Sequence, residues 1–207
     1  MKKKIVVFGG SSFFSYNFYN NLKNDFEIIL VQNKEKINLP SKILLFRNKN
    51  FYKKLKLLKV DFAINAIAFA NVDNCNQEPT KAEYINSTLA KKIAIELNKL
   101  NIKLIHISTD HLFDGTKPFR KENDKVSPLN VYARTKFNGE KNIIKFHKSS
   151  IILRTSFVGW DALHRDKFLD NVIKKLSLRK NIKIAENIFF NPLSLKNFCE
   201  AIKKIIL

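Results

Sequence analysis

Ile105-His106-Ile107-Ser108-Thr109-Asp110 and, after a polar loop, Val131-Tyr132-Ala133-Arg134-Thr135-Lys136 are the stretches on which the reading of this chain turns. The apolar run Ile102 to Ile107 has the length and β-branched content of a buried strand, and it ends at a hydroxyl pair and a carboxylate. Asp114-Gly115 and Ser127-Pro128 mark the segment that follows as loop. Tyr132 and Lys136 are four residues apart, so on a helix they share one face. An ammonium beside a phenol favours the phenolate, so the spacing predicts a tyrosine pKa drawn down toward the working pH. Thr109, with Ser108, would bring a hydroxyl from the strand end to fix a substrate oxygen beside that phenol. Alone, Tyr-x-x-x-Lys is an ordinary helical surface pair. Its weight comes from the order: strand, Ser-Thr-Asp, polar loop, Pro-Leu-Asn-Val-Tyr, Lys, Gly-Glu.

Outward from this block the chain alternates. Strands are predicted at Ile5 to Phe8, Phe26 to Val31, Lys42 to Phe46, Asp61 to Ala68, Ser150 to Arg154 and Ile182 to Ala185. Helical patterns carry Phe14, Phe18 and Leu22, then Tyr52 to Leu58, then Pro79 to Leu100. In the last of these Ala82, Ile85, Leu89, Ile93 and Leu97 are spaced for one buried face. Further helices are predicted from Tyr132 to near His147, at Phe168 to Leu178 and at Leu195 to Ile206. Such alternation implies βαβ units, hence an α/β fold with a doubly wound parallel sheet. Ligands of such sheets bind outside the carboxyl ends of the strands. Gly9, Ala66, Ser108 and Thr155 all fall at predicted strand ends.

A chain of 207 residues is one domain, or one domain with a small appendage, with room for a real core, and 45% hydrophobic residues argue against disorder. No apolar run approaches a membrane span, and Ile5 to Phe8 is too short for a signal-peptide core. Cys75 and Cys199 are far apart without a metal-ligand pattern, which suits a reducing cytoplasm. The net charge of +20 admits a nucleic-acid partner. The lysines are scattered rather than gathered in a tract with stacking aromatics, so the expectation is no specific nucleic-acid site and no membrane.

Several pieces together resemble one family. Asn65-Ala66-Ile67-Ala68 with Val72-Asp73-Asn74-Cys75, Ser108 to Gly115, and Ser127 to Lys136 with Gly139-Glu140 occur in the order seen in the dTDP-4-dehydrorhamnose reductases, which are extended short-chain dehydrogenases/reductases. Leu153 to Phe157 and Asn191-Pro192 match more weakly. The resemblance implies a Rossmann-like domain reducing a nucleotide-linked 4-keto-6-deoxysugar with NADPH or NADH. It implies Thr109, Tyr132 and Lys136 as catalytic residues, with Thr109, Tyr132 and Phe157 toward the substrate. Gly9, Ser11, Ser12, Phe13, Phe14, Asn33, Lys34, Ala66, Ile67, Ala68, Ser108 and Lys136 would face the cofactor. A homodimer is compatible with it. The second strand ends Val31-Gln32-Asn33-Lys34, without the acid expected for a ribose 2′-hydroxyl, and Lys34 suits a 2′-phosphate, which favours NADPH.

Three departures accompany the resemblance. The family's Gly-x-x-Gly-x-x-Gly turn reads Gly9-Gly10-Ser11-Ser12-Phe13-Phe14-Ser15, with Ser12 and Ser15 at the second and third glycine positions. If the backbone at Ser12 takes a positive φ, the serine is strained there and Ser12→Gly should tighten cofactor binding. Phe157 stands where relatives usually carry tryptophan. The sequence stops at Leu207, where relatives continue, so residues 155–207 are expected to form a reduced substrate lobe. Asp110 reads as part of the site or, in preference, as a cap of the loop after the strand, His106 as a satisfied core histidine, and Arg154 as either a phosphate contact or a partner of a surface acid. A dinucleotide- or sugar-nucleotide-binding subunit without turnover is the alternative, which retention of Thr109, Tyr132 and Lys136 together disfavours.

Overall fold

The computed structural model describes residues 2–33, 42–46, 50–159, 168–183, 186, 189 and 191–207. Seven strands form one wholly parallel sheet: β1 Lys4–Phe8, β2 Glu27–Gln32, β3 Lys42–Leu45, β4 Phe62–Asn65, β5 Lys103–Thr109, β6 Ile151–Val158 and β7 Pro192–Ser194, in spatial order β3-β2-β1-β4-β5-β6-β7. Successive strands run outward from β1 in both directions, so the order reverses between β1 and β4. That is where a doubly wound sheet opens a crevice at its carboxyl edge. The expected α/β, Rossmann-like fold is borne out.

The apolar runs are strands because both sheet faces are covered. Ile5, Val6, Val7 and Phe8 of β1 are wholly buried, with Ile5 and Val7 in one core and Val6 and Phe8 in the other. Helices α1 (Phe13–Leu22) and α8 (Leu195–Ile206) cover the first face. The α8 residues Leu195, Phe198, Ile202 and Ile206 lie in that core, each buried side chain contributing about 1.5–3 kcal/mol. Helices α2 (Phe51–Leu58), α5 (Leu89–Lys99) and α6 (Val131–Phe146) cover the second. Short helices α3 (Val72–Gln77) and α4 (Pro79–Glu83) precede α5, and α7 (Phe168–Ser177) lies between β6 and β7.

Of four differences from the sequence reading, three have local causes. The single helix expected from Pro79 to Leu100 is interrupted by a π-helical turn, Tyr84–Thr88. An added residue in a turn rotates the following face. Asn86, Ser87 and Ala90 are therefore buried where Ile85 and Leu89 are only partly so. β4 ends at Asn65 rather than Ala68, because the Asn65 side chain takes the Ile67 N–H at 3.2 Å and turns the chain out of the sheet. β6 continues to Val158 because β7 pairs with Ser156–Val158, so Thr155 lies within a strand rather than at its end. Of the strand expected at Ile182 to Ala185, Ile182 and Lys183 are not in a strand, and 184–185 lie outside the described residues.

Candidate active site

The Gly9–Ser15 turn joins β1 to α1 beside the end of β4. Gly9 has φ +83°, and a Cβ there would come within 3.1 Å of the Ala66 carbonyl and 3.2 Å of the Ile67 nitrogen. Only glycine meets both demands. Gly10 is pressed against β2: its N–H donates to the Val31 carbonyl at 2.7 Å, and an added Cβ would lie 2.9 Å from Leu30 Cβ. Ser12 corrects the strained-turn expectation. Its φ is −76°, in the extended region, and its Oγ accepts from Ser15 N–H at 3.1 Å as the N-cap of α1. Ser15 is wholly buried, and its hydroxyl donates to the Gly9 carbonyl at 2.8 Å. The two serines thus brace the turn through side-chain hydrogen bonds. Ser11 is partly exposed, Phe13 and Phe14 are buried, and Asn33 is exposed at the end of β2. Lys34 lies outside the described residues.

The catalytic candidates assemble at the end of β5. Asn130 caps α6 by accepting from Ala133 N–H at 2.8 Å, which orients Tyr132 in the first turn. Tyr132 lies near Thr109, whose hydroxyl favours its phenolate, and the His111 ring lies edge-on to it at 5.7 Å. Thr109 is buried and accepts from His111 N–H at 3.2 Å, capping the short turn Asp110–Leu112. The capping role expected of Asp110 belongs to Thr109. Lys136 is buried, and its ammonium donates to the Ile107 carbonyl at 2.7 Å.

Electrostatics here run against the spacing argument. Burial pushes the Tyr132 phenol up to about 12; the Thr109 hydroxyl partly offsets this, while Asp110 and Cys75 add to it. The Lys136 ammonium is held by a backbone carbonyl. Tyr132 is therefore a neutral phenol around neutral pH. Burial lowers Lys136 to about 8, against the opposing pull of Glu140.

Glu140 and Arg154 form a pair that the sequence left open. Glu140 is buried one turn beyond Lys136 and takes a forked ion pair from Arg154, with contacts of 2.8, 3.1 and 3.2 Å. Arg154 also donates to the Glu122 carbonyl at 3.0 Å. It meets a buried acid, not a surface one. The signal was present in the four-residue step from Lys136 to Glu140, which continues the Tyr132 stripe. Asn86 was also missed. Its amide oxygen accepts from Phe69 N–H at 2.8 Å, while its nitrogen donates to the Phe69 carbonyl and to Thr135 Oγ1. It clamps the segment after β4, including Ala66, Ile67 and exposed Ala68, to the catalytic helix.

Phe157, near the end of β6, is only partly buried. Its ring stacks on Phe198 at 5.7 Å and 19°, and it packs beside Phe13 and Phe14 on the α1–α8 face. Ser108 is buried in β5, its hydroxyl without a partner among the described residues. Among those residues no group of three or more His, Cys, Asp or Glu is placed to hold a metal, and no helix is long and apolar enough to cross a membrane.

Residues 3–207 match the family described as RmlD substrate binding domain. The chain belongs to that family. It is 27% identical over 204 residues to the spore coat polysaccharide biosynthesis protein SpsK of Bacillus subtilis, covering 98% of this chain and 69% of SpsK. Against dTDP-4-dehydrorhamnose reductase of Escherichia coli K12 it is 38% identical over 140 residues, 67% of this chain and 46% of that enzyme. The matched region is thus about half of that curated reductase. A crystal structure of dTDP-4-dehydrorhamnose reductase from Bacillus anthracis in complex with NADP superposes with a TM-score of 0.85 at 23% identity, over all of this chain and 71% of that one. The family resemblance read from the Ser108–Glu140 block is borne out.

Proposed function

We propose that the chain carries the dinucleotide-binding and acid–base part of an NAD(P)H-dependent reductase of a nucleotide-linked 4-keto-6-deoxysugar, in deoxysugar or surface-polysaccharide biosynthesis. The observation that carries this is the placement of Tyr132, Thr109 and Lys136 around the end of β5, on the same sheet edge as the packed Gly9 and Ala66. A dinucleotide fits the turn: Gly9, at positive φ, turns the chain tightly toward the N-terminus of α1, which favours phosphate. Gly9, Ser11, Ser12, Phe13 and Phe14 would hold it there, with Asn33 and Lys34 at the adenosine ribose and Ala66, Ile67, Ala68, Ser108 and Lys136 along its path. The absence of an acid at the end of β2 favours NADPH. When bound, the reduced dinucleotide supplies hydride to the ketone carbon.

The chain's own residues supply the proton and its placement. Tyr132, a neutral phenol, donates to the developing alkoxide. Thr109, near Tyr132, shares the reacting oxygen. Lys136 supplies a fixed positive charge near neutral pH, with Glu140 opposing its deprotonation. Within 155–207, β7 and α8 belong to the sheet and its core. Calorimetric titration with NADPH and NADH, followed by turnover on a panel of nucleotide-linked 4-keto-6-deoxysugars, tests the proposal. Binding with NADPH tighter is expected. Failure to bind either dinucleotide sinks the reductase reading in favour of a subunit without turnover.

A further inference from the structure

The ends of β4 and β5 share a buried polar pair that the chemistry above does not use. Asn65, the last residue of β4, is the register partner of His106 on β5, and both are essentially inaccessible to solvent. The Asn65 amide is fixed on both sides: Oδ1 accepts from Ile67 N–H at 3.2 Å, and Nδ2 lies 3.1 Å from His106 Nδ1. With the oxygen committed to an N–H, the nitrogen must face the ring, and an amide NH2 only donates. Nδ1 is therefore the acceptor, and the ring proton sits on Nε2. A proton on Nδ1 would set two donors against each other. Burial and the nearby Lys136 charge also keep the ring neutral, well below the usual histidine range.

That tautomer comes at a local cost. His106 Nε2 is buried with no partner among the described residues. A fold that leaves a buried N–H unanswered in order to keep an acceptor at Nδ1 needs that acceptor. What it secures is the Asn65 amide, and through it the Ile67 N–H, the same nitrogen against which Gly9 packs. One residue further along β5 from His106, the Ile107 carbonyl anchors Lys136.

We propose that Asn65 and His106 are a positioning pair, holding the backbone of residues 66–68 in register with the strand that anchors Lys136 through a single, pH-invariant imidazole tautomer. That the held segment lies along a dinucleotide rests on the reductase reading; that it is held does not. The test uses the full chain labelled with 15N at histidine, His106 being identified by the signal lost in His106→Asn. The neutral Nε2–H form should persist from about pH 5.5 to about pH 8.5. A ring that titrates in that window, or carries its proton on Nδ1, overturns the pair. Asn65→Ala should release the tautomer into a mixture; an unchanged tautomer would count against the pair even if other variants fail to fold. Amide exchange at Ile67 should quicken about tenfold in His106→Leu, the usual effect of losing one hydrogen bond. In His106→Asn, whose Oδ1 can replace Nδ1, exchange should stay within about threefold of wild type. NADPH affinity should follow the same order, and wild-type exchange and affinity in His106→Leu would overturn the proposal. If wild type binds no dinucleotide the reductase reading falls, while tautomer and exchange still decide the pair.

Discussion

The Gly9–Ser15 turn and the Ser108–Glu140 block depart from simple expectation in opposite ways. In the turn the glycine pattern is broken, yet the geometry is intact: Ser12 caps α1 from an extended conformation and Ser15 bonds to the Gly9 carbonyl. In the block the motif is intact, yet its electrostatics are reversed. Tyr132 is raised rather than lowered, and Lys136 spends its ammonium on Ile107. Spacing tells which side chains meet. Hydrogen-bond partners and burial decide what each then does.

The largest expected effect separates the two regions cleanly. Tyr132→Phe should lower turnover by about 10²–10⁴-fold while leaving dinucleotide affinity unchanged, since only the proton donor is lost. A wild-type rate on a reducible sugar would remove Tyr132 from its role.

Next comes Gly139→Ala, which presses on the packing behind the block. An added Cβ would sit 2.3 Å from the Asn86 backbone carbonyl, so α6 and the π turn must part. Loss of about 3 kcal/mol, or roughly 6–12 °C in Tm, is expected by thermal unfolding. An unchanged Tm would show that this helix contact gives way freely.

The third prediction concerns Lys136 and pH. Its folded pKa, about 8, is depressed from the usual lysine value of about 10.4, so the unfolded chain binds the extra proton between those limits. Stability contributed at this site therefore rises with pH from about 8 to about 10.4, by ~2–3 kcal/mol. Urea unfolding across that window, wild type against Lys136→Met, isolates it, because Tyr132 is common to both. A flat difference would mean that the ammonium is better solvated than its burial implies.

The smallest effect returns to the turn. Ser15→Ala removes the bond to Gly9 and should cost about 1 kcal/mol. Ser12→Gly, at a cap position glycine tolerates, should cost only a few tenths and leave dinucleotide affinity nearly unchanged. Tightening of the cofactor by Ser12→Gly, read by calorimetry, would restore the strained-turn idea that the extended φ argues against.

Alternation of apolar runs with helical patterns determined the parallel sheet, because side-chain period is a property of the local backbone and survives any context. The order of the motifs, with the family resemblance, made Tyr132, Lys136 and the strand-end hydroxyl of Thr109 legible as one candidate site. Tertiary structure alone decided the π turn at Tyr84–Thr88, the Asn86 clamp on Phe69, the Arg154–Glu140 pair and the neutral tautomer of His106. Asn86 and Thr135, or Asn65 and His106, are tens of residues apart, so no window of sequence contains both partners. Desolvation is set the same way. A phenol or an ammonium acquires its shifted pKa from everything packed around it, and that surrounding exists only once the chain has folded.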